Sequence, residues 1–254
     1  MATYKKRGDK PKNQAEKISQ IEQESTTAEV FSTLDEGASR TEAWVEKNQK
    51  TILILVGVVA ISVLGYLGYQ KFIQEPKETE AMNEMFQAQV YFEEALIASE
   101  KDSLFNLSLN GANGKFGFVD IIDNYGGTNA ANLATYYTGI AYLNTSKYQE
   151  AIQYLDKFKA NDANVAPIAK GAIGDAFAQL EQPVEALKYY ERAASMSSSE
   201  LTAPRFLLKA GITATTLGKT AIALKHFNVI IEKYPKSPEA KKAILYQGKA
   251  EAMK

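Results

Sequence analysis

The sequence predicts an all-α chain in which one membrane-crossing helix precedes a solenoid of helical hairpins. Three observations lead there: an uncharged apolar run starting near residue 50, amphipathic helical periodicity beyond Pro76, and a regularly spaced set of small residues from residue 130 onward.

The apolar run is TILILVGVVAISVLGYLGYQ, residues 51–70, without one charged side chain. At 1.5 Å rise per residue such a helix spans roughly 30 Å, the thickness of a bilayer's hydrocarbon core. A buried core helix would show a polar face, and a cleaved signal segment would have a shorter apolar stretch nearer the start. A retained transmembrane helix is therefore expected over 51–73. Trp44 before the run and Tyr66, Tyr69 and Phe72 at its end suit the two headgroup layers, where a ring's apolar body and polar edge are both satisfied. Gly57, Gly65 and Gly68 fall within about 80° of one another at 100° per residue. That strip either admits a second helix at close range or reflects the ordinary abundance of glycine in membrane helices.

Arg40, Lys47 and Lys50 precede the run, and Lys71 and Lys77 follow it. The cluster Lys5, Lys6, Arg7, Lys10, Lys12 and Lys17 leans the same way, so the N-terminus is expected in the cytoplasm and the C-terminal domain outside it. Within the polar segment 1–50, residues 1–29 have almost no large apolar side chains and are expected to be disordered. Val30, Phe31, Leu34, Trp44 and Val45 trace a weak helical pattern up to Lys50, read either as an interfacial helix or as a partly ordered linker.

The C-terminal domain, 74–254, opens with irregular helices over 78–128. Met82, Met85, Phe86, Val90, Phe92 and Leu96 recur at 3–4 spacings, and a short helix runs through Phe118, Ile121 and Ile122. Tyr125-Gly126-Gly127-Thr128 ends that helix. Three stretches then align: NLATYYTGIAYLNTSKYQEAIQYL (132–155), PIAKGAIGDAFAQLEQPVEALKYY (167–190) and PRFLLKAGITATTLGKTAIALKHF (204–227). Gly139, Gly174 and Gly211 coincide at spacings of 35 and 37, and Ala151, Ala186 and Ala223 follow them by the same interval. Repeats are expected near 132–165, 167–200 and 204–237, with a terminal helix at 239–253 carrying Gly248 at the matching place.

These units resemble the tetratricopeptide repeat, a helix–turn–helix of about 34 residues. Its small residue in the first helix is followed three places later by an aromatic, met by Tyr142 and Phe177 but by Ala214 in the third unit. Its large apolar residue in the second helix is met by Leu155, Tyr190 and Phe227. Tyr234-Pro235 matches the proline that separates repeats, whereas Ala163 and Ser198 replace it in the first two units. Each helix pair has an apolar face that it covers only by stacking on a neighbour.

The whole layout is similar to the YfgM-like family of ancillary SecYEG translocon subunits, most of all in GFVDIIDNYGGTNAANLATYYTGIAYLNTSKYQEAI (117–152). The resemblance implies a bacterial inner-membrane protein with a periplasmic repeat domain. It implies SecYEG and a membrane-anchored prolyl isomerase or chaperone as partners. The competing reading is an envelope scaffold for cell-wall or outer-membrane machinery unrelated to translocation.

Register with the tetratricopeptide family places a partner-binding groove at Tyr136, Ile140, Leu143 and Asn144, then Ile168, Asp175 and Gln179, then Arg205, Leu208, Lys209, Ile212 and Thr216. This mixture suits an extended peptide or a partner's helix. The carboxylate clamp of some such domains uses a Lys and two Asn before a basic pair. Tyr136, Ile140 and Ala172 stand at the first three places, and only the pair Arg205 and Lys209 matches.

The inventory argues against chemistry. A net charge of −1 gives no basic excess for nucleic acid, and there is no cysteine and one histidine, His226, too few for a transition-metal site. No G-x-S-x-G occurs. The loop Gly111 to Gly117 fails as a phosphate cradle, because Leu109 and Phe116 stand where a first glycine and a hydroxyl are required. Glu93, Glu94 and Asp102 read as solvated helix charges. No cofactor, small-molecule substrate or enzymatic activity is expected.

Overall fold

The computed structural model describes residue 18 and residues 26–160, 165–197 and 199–253. The basic cluster, most of the segment expected to be disordered, and Ala163 and Ser198 lie outside those residues. The chain divides into two compact units, Met1–Tyr69 and Gln70–Lys254.

In the first unit one helix, α1 (Thr26–Tyr69), contains both the weak pattern before Lys50 and the apolar run. No proline interrupts its hydrogen-bond ladder. It begins four residues ahead of Val30, so Thr26–Glu29 is helical where disorder was expected. An 18-residue window of mean hydropathy 2.4 has no buried share at all. By length and composition this helix is sufficient to cross a membrane.

The second unit starts with a π-helical turn, Gln70–Gln74, followed by α2 (Glu75–Ile97), α3 (Lys101–Asn110) and α4 (Phe118–Asn124). Met85, Ala88 and Phe92 of α2 are buried with Phe105 and Leu109 of α3 and Phe118 and Ile121 of α4. Phe92 meets Phe105 and Tyr137 edge-on, at centroid separations of 5.5 and 4.9 Å, and Phe118 stacks on Tyr137 at 5.1 Å. Edge-to-face and offset contacts of this kind add to area burial because ring edges are positive and faces negative.

The start of α2 is tied to the turn that precedes α5 (Asn129–Asn144). Glu78 accepts the N–H groups of Asn129 and Ala130 at 2.6 and 2.7 Å, and the Thr128 hydroxyl accepts that of Ala131 at 3.0 Å. Three otherwise orphaned helix donors are thereby satisfied, one cap coming from about fifty residues upstream. Gln74 and Lys77 donate to the carbonyls of Gly127 and Gly126, and the Tyr125 hydroxyl donates to Glu80.

Beyond this point the helices pair: α5 with α6 (Tyr148–Lys157), α7 (Val165–Gln179) with α8 (Pro183–Met196), and α9 (Ala203–Thr216) with α10 (Thr220–Lys233). A last helix, α11 (Pro238–Glu251), packs on α9 and α10. Proline in the first turn of α8, α9 and α11 costs no hydrogen bond there. The three hairpins turn identically. Ser146, Glu181 and Gly218 have φ of 61°, 57° and 68°. The next N–H, from Lys147, Gln182 or Lys219, bonds back to the carbonyl of Tyr142, Phe177 or Ala214 at 2.8–2.9 Å. This is the left-handed closure that satisfies carbonyls at a helix end. Among the described residues there is no strand, only an isolated bridge between Ala112 and Lys115.

Candidate functional site

The small-residue columns explain how each hairpin closes. A Cβ on Gly139 would lie 2.5 Å from Leu155 Cγ, and one on Gly174 would lie 2.7 Å from the Tyr190 ring. Gly211 is covered in the same way by the Phe227 ring. Ala151, Ala186 and Ala223 are wholly buried. Each first helix thus supplies a socket and each second helix a large side chain sixteen residues later to fill it. Such interdigitation at crystal-like density makes the pairing of the two helices specific. Gly171, three residues before Gly174, seats Phe206 of the following hairpin. That joins one repeat to the next, and sequence reasoning passed over it.

Tyr136, Ile140 and Leu143 are half-buried against Leu155, Ala169, Ala172 and Ile173. The Tyr136 ring lies 5.2 Å from that of Phe158. Burial raises its hydroxyl pKa, Tyr137 adds to the rise, and the charge of Arg205 partly offsets it. The structure therefore brings Tyr136 and Arg205 within electrostatic reach across two repeats. Ile168 and Ile212 are half-buried, while Gln179, Arg205 and Thr216 are exposed. Ile212 and Thr216 line a cleft of about 150 Å³ with Tyr246, Lys249 and Met253.

Two residues expected in the groove find each other. Lys209 donates to both carboxylate oxygens of Asp175 at 2.6 and 2.7 Å. The Tyr190 hydroxyl donates to the same carboxylate at 2.7 Å, and the Lys209 ammonium sits over the Tyr190 ring. Burial, then the charge of Asp175 and its hydrogen bond, push the Tyr190 phenol far up. The pair neutralises itself, so Lys209 is not a spare cation for a ligand. Arg205 makes no ion pair among the described residues.

Other polar positions are also engaged internally. Asn144 and Thr216 donate to the carbonyls of Ile140 and Ile212, and Gln179 accepts from Tyr148 at 3.5 Å. Leu208 is buried in the core with Phe206 and Ala210, and so contributes no groove surface. What remains is a mostly apolar set of positions with the exposed Arg205, whose guanidinium lies over the Phe206 ring.

In the first unit Trp44, Tyr66 and Tyr69 are exposed, as is Phe72 in the π turn of the second. Gly57, Gly65 and Gly68 have nothing within 4 Å of the place a Cβ would take. His226 pairs with Glu191 at 2.9 Å. Among the described residues no group of His, Cys, Asp and Glu is arranged to hold a metal.

A search of curated proteins returns no match to this chain. The family profile described as Tetratricopeptide repeat matches residues 133–164 and 206–237, the first and third hairpins. The second hairpin, with Gly174 under Tyr190 and the same turn at Glu181, has the same construction without the match. The helical region is tetratricopeptide-like, the architecture of a protein–protein interaction module.

Proposed function

We propose that the chain is a single-pass membrane protein that presents its repeat region beside the Sec translocon as an accessory subunit, without catalysis of its own. The carrying observation is a helix whose run 51–70 is uncharged and whose apolar window has no buried share, in the same chain as a tetratricopeptide-like region. Exposed apolar surface costs roughly 25 cal/mol per Å² in water, a cost that lipid removes. Trp44, Tyr66, Tyr69 and Phe72 then lie in the headgroup layers, and Gly57, Gly65 and Gly68 face a helix of the channel. The charge bias puts the N-terminus in the cytoplasm and the repeats in the periplasm of a bacterial inner membrane.

The groove of Tyr136, Ile140, Ile168 and Ile212, with Arg205 in no ion pair among the described residues, suits apolar segments of varied sequence. Emerging chains, or a membrane-anchored prolyl isomerase or chaperone, are such partners. SecYEG as the membrane partner rests on the family resemblance.

Extraction in mild detergent followed by immunoblotting is the test. SecY is expected in the purified fraction, and its absence while the protein stays intact rejects the translocon reading in favour of an envelope scaffold. Orientation is read separately, by protease digestion of the repeat region in spheroplasts but not in intact cells.

A further inference from the structure

The first hairpin departs from the other two where its second helix ends. α6 has 10 residues, whereas α8 and α10 have 14 each, so the chain leaves α6 about one turn early. The side chain of Asn132 in α5 takes up the backbone released there. Its Nδ2 donates to the Lys159 carbonyl at 2.8 Å, and its Oδ1 accepts the Lys159 N–H at 2.9 Å. In the alignment of the repeats Pro167 and Pro204 stand at the place of Asn132. Proline has no side-chain donor or acceptor, so this clamp has no counterpart in the second and third hairpins.

Beside the shortened helix lies a cleft of about 410 Å³, bounded by the Gly126-Gly127 turn, the start of α5 and the end of α6. Lys157 and Lys159 line it, both exposed and in no ion pair among the described residues. The Lys157 ammonium sits over the Tyr154 ring, and Lys159 is fixed through its clamped backbone. Lys77 adds a third ammonium at the rim, donating to the Gly126 carbonyl at 3.2 Å. Glu78 is occupied with the first N–H groups of α5, Asp156 pairs with Lys170, and Asp123 does not line the cleft. Lys157 also complements the carbonyl end of α6, but Lys159 stands beyond that helix and has no such role.

Gly127 and Asn129 also line a neighbouring cleft with Gln70 and Gln74, and Gln74 donates to the Gly127 carbonyl. Gln70 is the residue at which the uncharged run ends. With that run as a membrane span, the lysine cleft lies beside the bilayer surface, where a headgroup layer of about 5–8 Å covers the hydrocarbon core. We infer that the cleft is a binding site for the phosphodiester headgroup of an anionic phospholipid, held by Lys157 and Lys159, which ties the first hairpin to the membrane face. The inference rests on the span proposed above. Ammonium groups bind phosphate as point charges, and their long stems let them reach into the headgroup layer. The two glycines of the turn present no side chain to bar the approach.

The test uses the full chain in phosphatidylcholine nanodiscs, with or without added phosphatidylglycerol. Limited acylation by an amine-reactive ester, read lysine by lysine by mass spectrometry, reports how far each ammonium is engaged. Phosphatidylglycerol is expected to slow Lys157 and Lys159 at least threefold, while Lys219 and Lys236 of the third hairpin keep their rates. High salt restores the first pair by screening. Asn132→Ala releases the Lys159 backbone and is expected to abolish the slowing at Lys159 in a chain whose thermal melt still shows it folded. Lys157→Gln, at an exposed position, keeps the fold and weakens the slowing at Lys159 at least twofold. Equal slowing of all four lysines, or of none, overturns the inference, and so does slowing at Lys159 that neither variant diminishes. Inorganic phosphate or a polyglutamate peptide that slows the pair equally in phosphatidylcholine nanodiscs overturns the assignment to lipid. Alkaline extraction from liposomes separates the two readings. A chain washed out loses the span and this inference together, whereas a chain retained with unslowed lysines loses this inference alone.

Discussion

The glycines of α1 and those of the repeat hairpins have opposite surroundings. Gly139, Gly174 and Gly211 are covered by Leu155, Tyr190 and Phe227 of the same chain. Gly57, Gly65 and Gly68 meet open space. The difference separates two uses of one residue. In the hairpins the chain supplies both socket and filling, so the small residue contributes to folding. Along α1 no described residue fills the space beside these glycines, so they matter only where another helix arrives. Gly248 combines the two: it sits in a repeat helix but is open like those of α1.

The largest expected effect is at a filled socket. Gly211→Leu drives a side chain into the Phe227 ring, which is fully buried and backed by Ile230. Overpacking at such a site destabilises by about 3 kcal/mol. Emptying it with Phe227→Ala costs about 3–5 kcal/mol through lost burial and the cavity left behind. Thermal denaturation of the full chain followed by circular dichroism checks both. An unchanged melt for Gly211→Leu breaks the distinction between filled and open sockets.

Next in size is the polar contact beside the second socket. Asp175→Asn removes the charge that holds Lys209 and accepts from Tyr190, leaving two partly buried donors poorly matched. A loss of about 1–2 kcal/mol is expected in the same melt. The pH dependence has a definite sign. Because the folded state raises the Tyr190 pKa, this phenol's contribution is complete below the ordinary tyrosine value near 10 and declines as pH rises beyond it. In Asp175→Asn the Tyr190 titration moves down toward that ordinary value, read by ultraviolet absorbance of tyrosinate. A titration unmoved by the substitution shows that burial alone sets it.

How much of this was legible in the sequence follows from how local each signal is. Gly139, Gly174 and Gly211 recur with Ala151, Ala186 and Ala223 at fixed offsets, so the hairpins and their sockets were visible as columns. The fold class followed, together with the apolar helix. The pairing of Asp175 with Lys209 was not visible, because 34 residues separate two groups each of which looks like ordinary surface charge. Glu78 capping α5 from α2 was hidden for the same reason. Leu208 was placed in the groove by register with other repeats; the structure puts it in the core, in one buried cluster with residues of α8, α10 and α11. Periodicity reports which face of a helix is apolar, and says less about which neighbour covers its margin.

A smaller effect is expected at the hairpin turns. Glu181 and Ser146 adopt the left-handed backbone that Gly218 adopts without steric cost. Glu181→Gly is expected to stabilise by about 0.5–1 kcal/mol and Gly218→Ala to destabilise by about 1 kcal/mol, read as opposite shifts in Tm. Shifts of the same sign deny that the three turns are equivalent.

The smallest expected effect on folding carries the most information about the comparison. Gly65→Leu in α1 introduces a side chain where the chain itself has nothing within 4 Å, and leucine is no worse than glycine in a helix. The melt of the repeat region is expected to stay within about 0.5 kcal/mol of the parent, the usual range for surface changes. If another helix packs along Gly57, Gly65 and Gly68, the same substitution lowers recovery of that membrane partner after detergent extraction. A control such as Val63→Ile, on the opposite side of α1 and also exposed, leaves recovery unchanged. Recovery lost in Gly65→Leu alone identifies the glycine face as a contact made by packing. Equal recovery in both variants returns these glycines to plain constituents of an apolar helix, and assigns partner capture to the repeats.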